Sequence, residues 1–229
     1  MSIAPHAAML ALPALLALAG CGGDTGEATP APSPSPSVDS GPRTLVAADL
    51  ALDRLGPRFE GPQGSEVESV IPRLGTMVSY VACPVAIEAA TCDPAALPEG
   101  TLYTYVHQIT VDVPDSERAE DQFGGVTLFR TTRAVPGFAN AIGYSRAQAA
   151  EALGEGGDIK VQAENGRLIW RISAGDGWMP GETLTFFWQS RLPPAGPAEA
   201  FQLEAEELSG PATGPFPADP PPVDETPAR

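Results

Sequence analysis

The sequence predicts a mostly β domain, an antiparallel β-sandwich or jelly roll, with an open β-barrel as the next architecture. Three observations carry this. Short segments rich in β-branched and aromatic residues follow one another, separated by turn signals. Asn165-Gly166, the strongest two-residue hairpin signal, lies between two such segments. One short stretch, Arg146 to Leu153, carries a clear helix signature.

The elements follow in order. Leu45 to Leu55 fits a short helix with Leu50, Leu52 and Leu55 partly inward, stopped by Gly56-Pro57. Met77 to Ala82 reads as a strand leading into the loop that holds Cys83 and Cys92. Thr101 to Val113 is a strand whose period of two puts Tyr103, Tyr105, His107, Ile109, Val111 and Val113 on the core face. Val126 to Thr132 makes another strand. For the helix, Ser145 is a good N-cap, Gln148 completes a capping box, and Gly154 suits a left-handed stop.

A type I′ turn at Asn165-Gly166 sets Glu164 against Arg167. Ala163 then faces Leu168, Val161 faces Trp170 and Ile159 faces Ile172, all on one side of the ribbon. Pro180-Gly181 suggests a type II turn. It leads into Thr183 to Gln189, where Leu184, Phe186 and Trp188 share a face. Trp170 and Trp188 read as core. Ala200 to Ala205 gives a final strand.

The ends differ in composition. Residues 21–43 are dominated by Gly, Asp, Thr, Ser, Pro and Ala, including Pro30-Ala31-Pro32-Ser33-Pro34-Ser35-Pro36. Such a segment buries too little apolar surface to fold. It reads as an extended tether, about 3.1 Å per residue and on the order of 60 Å in all. Residues 44–208 form the single β-rich domain. Residues 209–229 hold Pro211, Pro215, Pro217, Pro220, Pro221 and Pro222 with Asp219, Asp224 and Glu225, and read as a disordered acidic tail. A proline-recognition ligand is the weaker reading of that tail.

At the other end, Ala7 to Gly20 is uncharged and apolar apart from its glycine and Pro13, the length of a signal-peptide core and too short to span a membrane. It closes on Leu18-Ala19-Gly20-Cys21, which resembles the lipobox of bacterial lipoprotein precursors. The resemblance implies that residues 1–20 are a signal peptide. It further implies that the thiol of Cys21 takes a diacylglycerol and that cleavage makes Cys21 the first mature residue. The n-region, Met1 to His6, has no lysine or arginine. Gly22, rather than Asp, follows the cysteine, which by the same resemblance favours the outer over the inner membrane. With Cys21 acylated, Cys83 and Cys92 remain as an even pair. In an oxidising compartment they would bridge a short loop. The alternatives are two buried thiols or, less well supported, a zinc site, which would want four ligands.

The net charge is -16, with Lys160 the one lysine. An acidic chain repels phosphate backbones, so nucleic acid is a poor partner. Candidate chemistry is sparse. One histidine, His107, lies beyond the leader, mid-strand, and reads as structural rather than catalytic. Asp112, Asp115, Glu117, Glu120 and Asp121 cluster after its strand, but their spacing matches no calcium loop, and a solvated acidic loop is the default. Gly175-Asp176-Gly177-Trp178 is the remaining candidate. Trp178 on a glycine-flexed loop would stack on a sugar while Asp176 binds its hydroxyls, against the plainer reading of Trp178 as a lid on the core. The expected function is therefore a lipid-anchored extracytoplasmic domain with a non-catalytic binding or envelope-interaction role. It would meet the membrane through its lipid and an envelope glycan or protein as partner, with no cofactor and no metal. A carbohydrate-binding module centred on Trp178 is the alternative, and a hydrolase with dispersed carboxylates is third.

Overall fold

A computed structural model describes residues 42–50, 55–87, 92–112, 125–173, 177–206 and 208–219. The strands are β1 (Arg43–Thr44), β2 (Ala48–Asp49), β3 (Val67–Ile71), β4 (Gly75–Ala82), β5 (Tyr103–Val111), β6 (Leu128–Thr131), β7 (Phe138–Tyr144), β8 (Asp158–Glu164), β9 (Arg167–Ser173), β10 (Thr183–Ser190), β11 (Pro194–Ala205) and β12 (Leu208–Pro217). They form two six-stranded sheets. One has the order β1-β8-β9-β6-β11-β12 and the other β2-β7-β10-β5-β4-β3. Among the described residues no ladder joins the two sheets, so the fold is a β-sandwich rather than a barrel.

The inward faces are the ones that the period of two selects. On β5, Tyr103, Tyr105, His107, Ile109 and Val111 are buried; on β10, Leu184, Phe186 and Trp188 are fully enclosed. Val113 lies outside the described residues. The hairpin adopts its expected register, from Glu164↔Arg167 through Ala163↔Leu168 and Val161↔Trp170 to Ile159↔Ile172. Asn165 (φ 50°) and Gly166 (φ 74°) supply the two positive dihedrals of a type I′ turn. Gly181 (φ 88°) and the bond from Glu182 N to Met179 O close the turn after Pro180.

Between the sheets lies an aromatic core. Tyr105 and Trp188 stack with centroids 4.1 Å apart. Phe129 contacts Trp170, Phe186 and Phe201, and Trp178 meets Phe186. Each indole N–H finds an acceptor, as buried tryptophans require. Trp170 donates to Gly143 O (2.9 Å), Trp178 to Glu182 O (3.2 Å) and Trp188 to His107 Nε2 (3.0 Å). The first of these bonds crosses from one sheet to the other.

Four sequence expectations need correction. Leu45 to Leu50 is not helical. Leu45 N bonds to Val161 O and Leu50 N to Tyr144 O, so this strap satisfies its amides on β8 and then on β7, passing from one sheet to the other. Its β2 runs parallel to β7, the single parallel pair among the described strands. Residues 51–54 of the expected helix lie outside the described residues.

The acidic tail does not begin at 209, because β12 runs through to Pro217 along β11. An edge strand needs amide donors on one side only, which is why its prolines are tolerated. Its inward residues Gly210, Ala212, Gly214 and Phe216 are buried; three of them are small, so the strand lacks a visible apolar period. A Cβ on Gly214 would sit 3.1 Å from Ser79 Oγ, and one on Gly210 would sit 2.7 Å from Ile71 Cγ2. The small residues let β12 close against β3 and β4, where Thr213 N also bonds to Ser69 Oγ (3.0 Å).

Helix α1 (Arg146–Leu153) has the expected bounds but half of the expected capping box. Gln148 N donates to Ser145 Oγ, while the side-chain oxygen Gln148 Oε1 has no partner. Ser145 N is already committed to Thr185 O, and Asp49 accepts from Arg146 N. Gly154 has a positive φ of 64° but an extended ψ of -167°, so the helix ends without the left-handed turn.

Candidate functional site

His107 sits at the centre of the sandwich, on the inward face of β5, with 0% of its surface exposed. An indole nitrogen only donates, so Nε2 is the acceptor for Trp188 and the proton of the neutral ring is on Nδ1. Nδ1–H in turn donates to Ser79 Oγ at 2.9 Å. Phe201 and Phe129 flank the ring, with centroids 4.3 and 5.9 Å away. Burial holds its pKa down, to about 3, because charging the ring would place a cation in this apolar layer. Both nitrogens are occupied and no solvent reaches them, so His107 is a structural histidine, as its mid-strand position suggested.

Trp178 is likewise enclosed, with 0% exposure. Its backbone bridges Val126, and its ring lies against Phe186 with centroids 5.6 Å apart. No face of the indole is open to a sugar, which corrects the expectation of Trp178 as a stacking platform: it is the lid on the core. Asp176, its expected companion, lies outside the described residues. So do Asp115, Glu117, Glu120 and Asp121 of the acidic loop; Asp112 is described and bonds through its amide to Leu74 O. Among the described residues no group of three His, Cys, Asp or Glu is arranged to hold a metal ion.

Cys83 and Cys92 form a disulfide, with Cα atoms 6.2 Å apart. Both are buried. The bridge joins the end of β4 to the segment that leads into β5, and both ends hold the segment before β3 through the backbone: Phe59 pairs with Cys92 and Cys83 N donates to Pro57 O. Cys21 lies outside the described residues.

Beside the disulfide, on the outward face of the second sheet, is a groove of about 370 Å³. Phe187 and the hydrogen-bonded pair Gln189–Thr104 (3.0 Å) line it below, with Leu50, Leu55 and Val85 around it. Leu50 and Phe187 belong, with Val106, to a small apolar cluster separate from the main core. Sequence reasoning did not single out this surface. Its signal was present, however: Val106 and Phe187 are apolar residues on the outward set of their strands, and the register makes them direct neighbours. Among the described residues the groove carries one carboxylate, Asp49, which accepts from Arg146 N at 3.0 Å. Its chemistry is therefore apolar, with neutral hydrogen-bonding groups on the floor.

No family model, curated protein or solved structure matches this chain. Among the described residues no helix is long and apolar enough to cross a membrane.

Proposed function

We propose that this chain is a lipid-anchored, extracytoplasmic β-sandwich with a non-catalytic binding role toward another component of the cell envelope, glycan or protein. The observation that carries the reading is the state of the three cysteines. Cys83 and Cys92 are joined and buried, which leaves Cys21 as the odd one, at the end of an apolar leader and inside a lipobox-like run. Disulfides persist in oxidising compartments, and a cysteine acylated at such a site ties the domain to a membrane from outside the cytoplasm. Gly22 favours the outer membrane.

The non-catalytic part of the reading is supported by His107, the one histidine beyond the leader, whose two nitrogens both serve the core. The net charge of -16 supports a partner other than nucleic acid.

Expression of the full chain in a bacterium, beside Cys21→Ser, tests the anchor. One acyl chain holds marginally and two or more hold stably, so the wild type should fractionate with membranes and the variant should lose its mature membrane form. Equal processing and equal membrane content of the two would contradict the anchor. Turnover of an envelope polymer by the purified protein, abolished by Asp176→Asn, would contradict the non-catalytic role.

A further inference from the structure

The buried chain Trp188–His107–Ser79 has a consequence for the fold in acid. Its three members come from three adjacent strands of one sheet, β10, β5 and β4, in the register Phe186↔His107 and Ser79↔His107. The bonds are directional. Trp188 Nε1–H points into Nε2 at 3.0 Å, and Nδ1–H points at Ser79 Oγ at 2.9 Å. A second proton can enter the ring only at Nε2, the atom that the indole donor already occupies. The protonated ring and the indole N–H would then be two donors facing each other.

Trp188 cannot turn away freely. Its ring is stacked on Tyr105 at 4.1 Å and 7° and meets Phe216 at 6.0 Å. Ser79 is held too, since β12 lies so close that a Cβ on Gly214 would come within 3.1 Å of its Oγ. The hydrogen-bonded and aromatic neighbours of the imidazole are Ser79 of β4, Phe129 of β6, Trp188 of β10 and Phe201 of β11, none of which titrates. Tyr105 and Tyr103 are the titratable groups on the same face of β5, and the Tyr105 hydroxyl donates to Leu192 O at 3.0 Å. Among the described residues no carboxylate is bonded or ion-paired to His107, so nothing there would compensate a charge.

We infer that His107 is the acid trigger of this sandwich: the folded state admits only the Nδ1–H neutral ring, and protonation is coupled to separation of Trp188 from β5 and opening of the core. The sign follows from the two states. An unfolded His107 takes up its proton near the ordinary value of 6.5, whereas the folded one does so only near 3. Above pH 6.5 both are neutral and the residue costs nothing. As pH falls through that value, the unfolded chain gains protons that the folded chain refuses. Its unfolding equilibrium constant then rises about tenfold per pH unit, to about a hundredfold at pH 4.5.

Urea unfolding of the full chain and of His107→Gln, followed from pH 7.5 to pH 4.5, tests this. The wild type should lose stability relative to the variant by that hundredfold factor, and parallel profiles would overturn the inference. If the variant does not fold, imidazole ¹⁵N shifts of the wild type decide. The inference expects a neutral Nδ1–H ring that stays unchanged from pH 7.5 to pH 5 while the chain is folded. A His107 ring that titrates near 6.5 within the folded protein would overturn it.

Discussion

At Gly143 of β7 the two sheets and the N-terminal strap come together. Its carbonyl accepts from Trp170 of the opposite sheet, and its α-carbon faces the Ala48 carbonyl of β2 and the ring of Phe187. A methyl group there collides with backbone, which cannot rotate away. Gly143→Ala should therefore destabilise the fold by about 2 kcal/mol or more, the range of overpacked core sites. Chemical unfolding of the variant measures this, and a loss below about 0.5 kcal/mol would show that the strap is free to shift. Residues such as His107 and Trp188 were legible in the sequence because strand periodicity fixes which face a side chain takes. Gly143 was not, because the need for a missing side chain arises from strands far apart in the chain. Trp178 was legible only as a choice between a sugar platform and the plainer lid on the core. A tryptophan that follows a glycine-rich turn reads alike whether its ring covers a ligand or the core, and its burial against Phe186 separates the two.

Among elements, the β8–β9 hairpin and α1 were readable because their signals are local: two residues with positive φ, a cap, and an apolar face shared by neighbouring segments. Strands β7 and β12 were not. Phe138-Ala139-Asn140-Ala141-Ile142-Gly143-Tyr144 and Leu208-Ser209-Gly210-Pro211-Ala212-Thr213-Gly214 are rich in small residues that serve close approach rather than bulk. Composition takes such runs for linkers. The distinction can be tested by truncation. A chain ending at Glu206 removes Phe216, which packs on Trp188 and Phe201, and uncovers Ser79 and Ile71. It should fail to fold cooperatively, read as loss of the near-ultraviolet tryptophan signal and of a sigmoidal urea transition. A truncated chain that unfolds like the full one would restore the tail beginning at residue 209.

Across the whole molecule, the sandwich follows from numerous short half-apolar strands that must each bury one face. The sequence predicted that layer structure, but not which strands neighbour one another, since the chain passes repeatedly from one sheet to the other. The disulfide closes a loop in the connection from β4 to β5. Replacing both Cys83 and Cys92 by serine should cost about 2–3 kcal/mol through the freed nine-residue separation, and unfolding midpoints of the two forms would show it. An unchanged midpoint would mean that the bridge adds nothing to the fold.

Cys21 decides whether the sandwich is tied to a membrane. The most direct measurement is mass spectrometry of the N-terminal peptide of the membrane-extracted protein, expressed as the full chain in a bacterium. The reading predicts a chain that begins at Cys21 and carries the mass of a diacylglyceryl group on its sulfur. An unmodified Cys21 thiol, in a chain that still holds Met1 to Gly20, would contradict it.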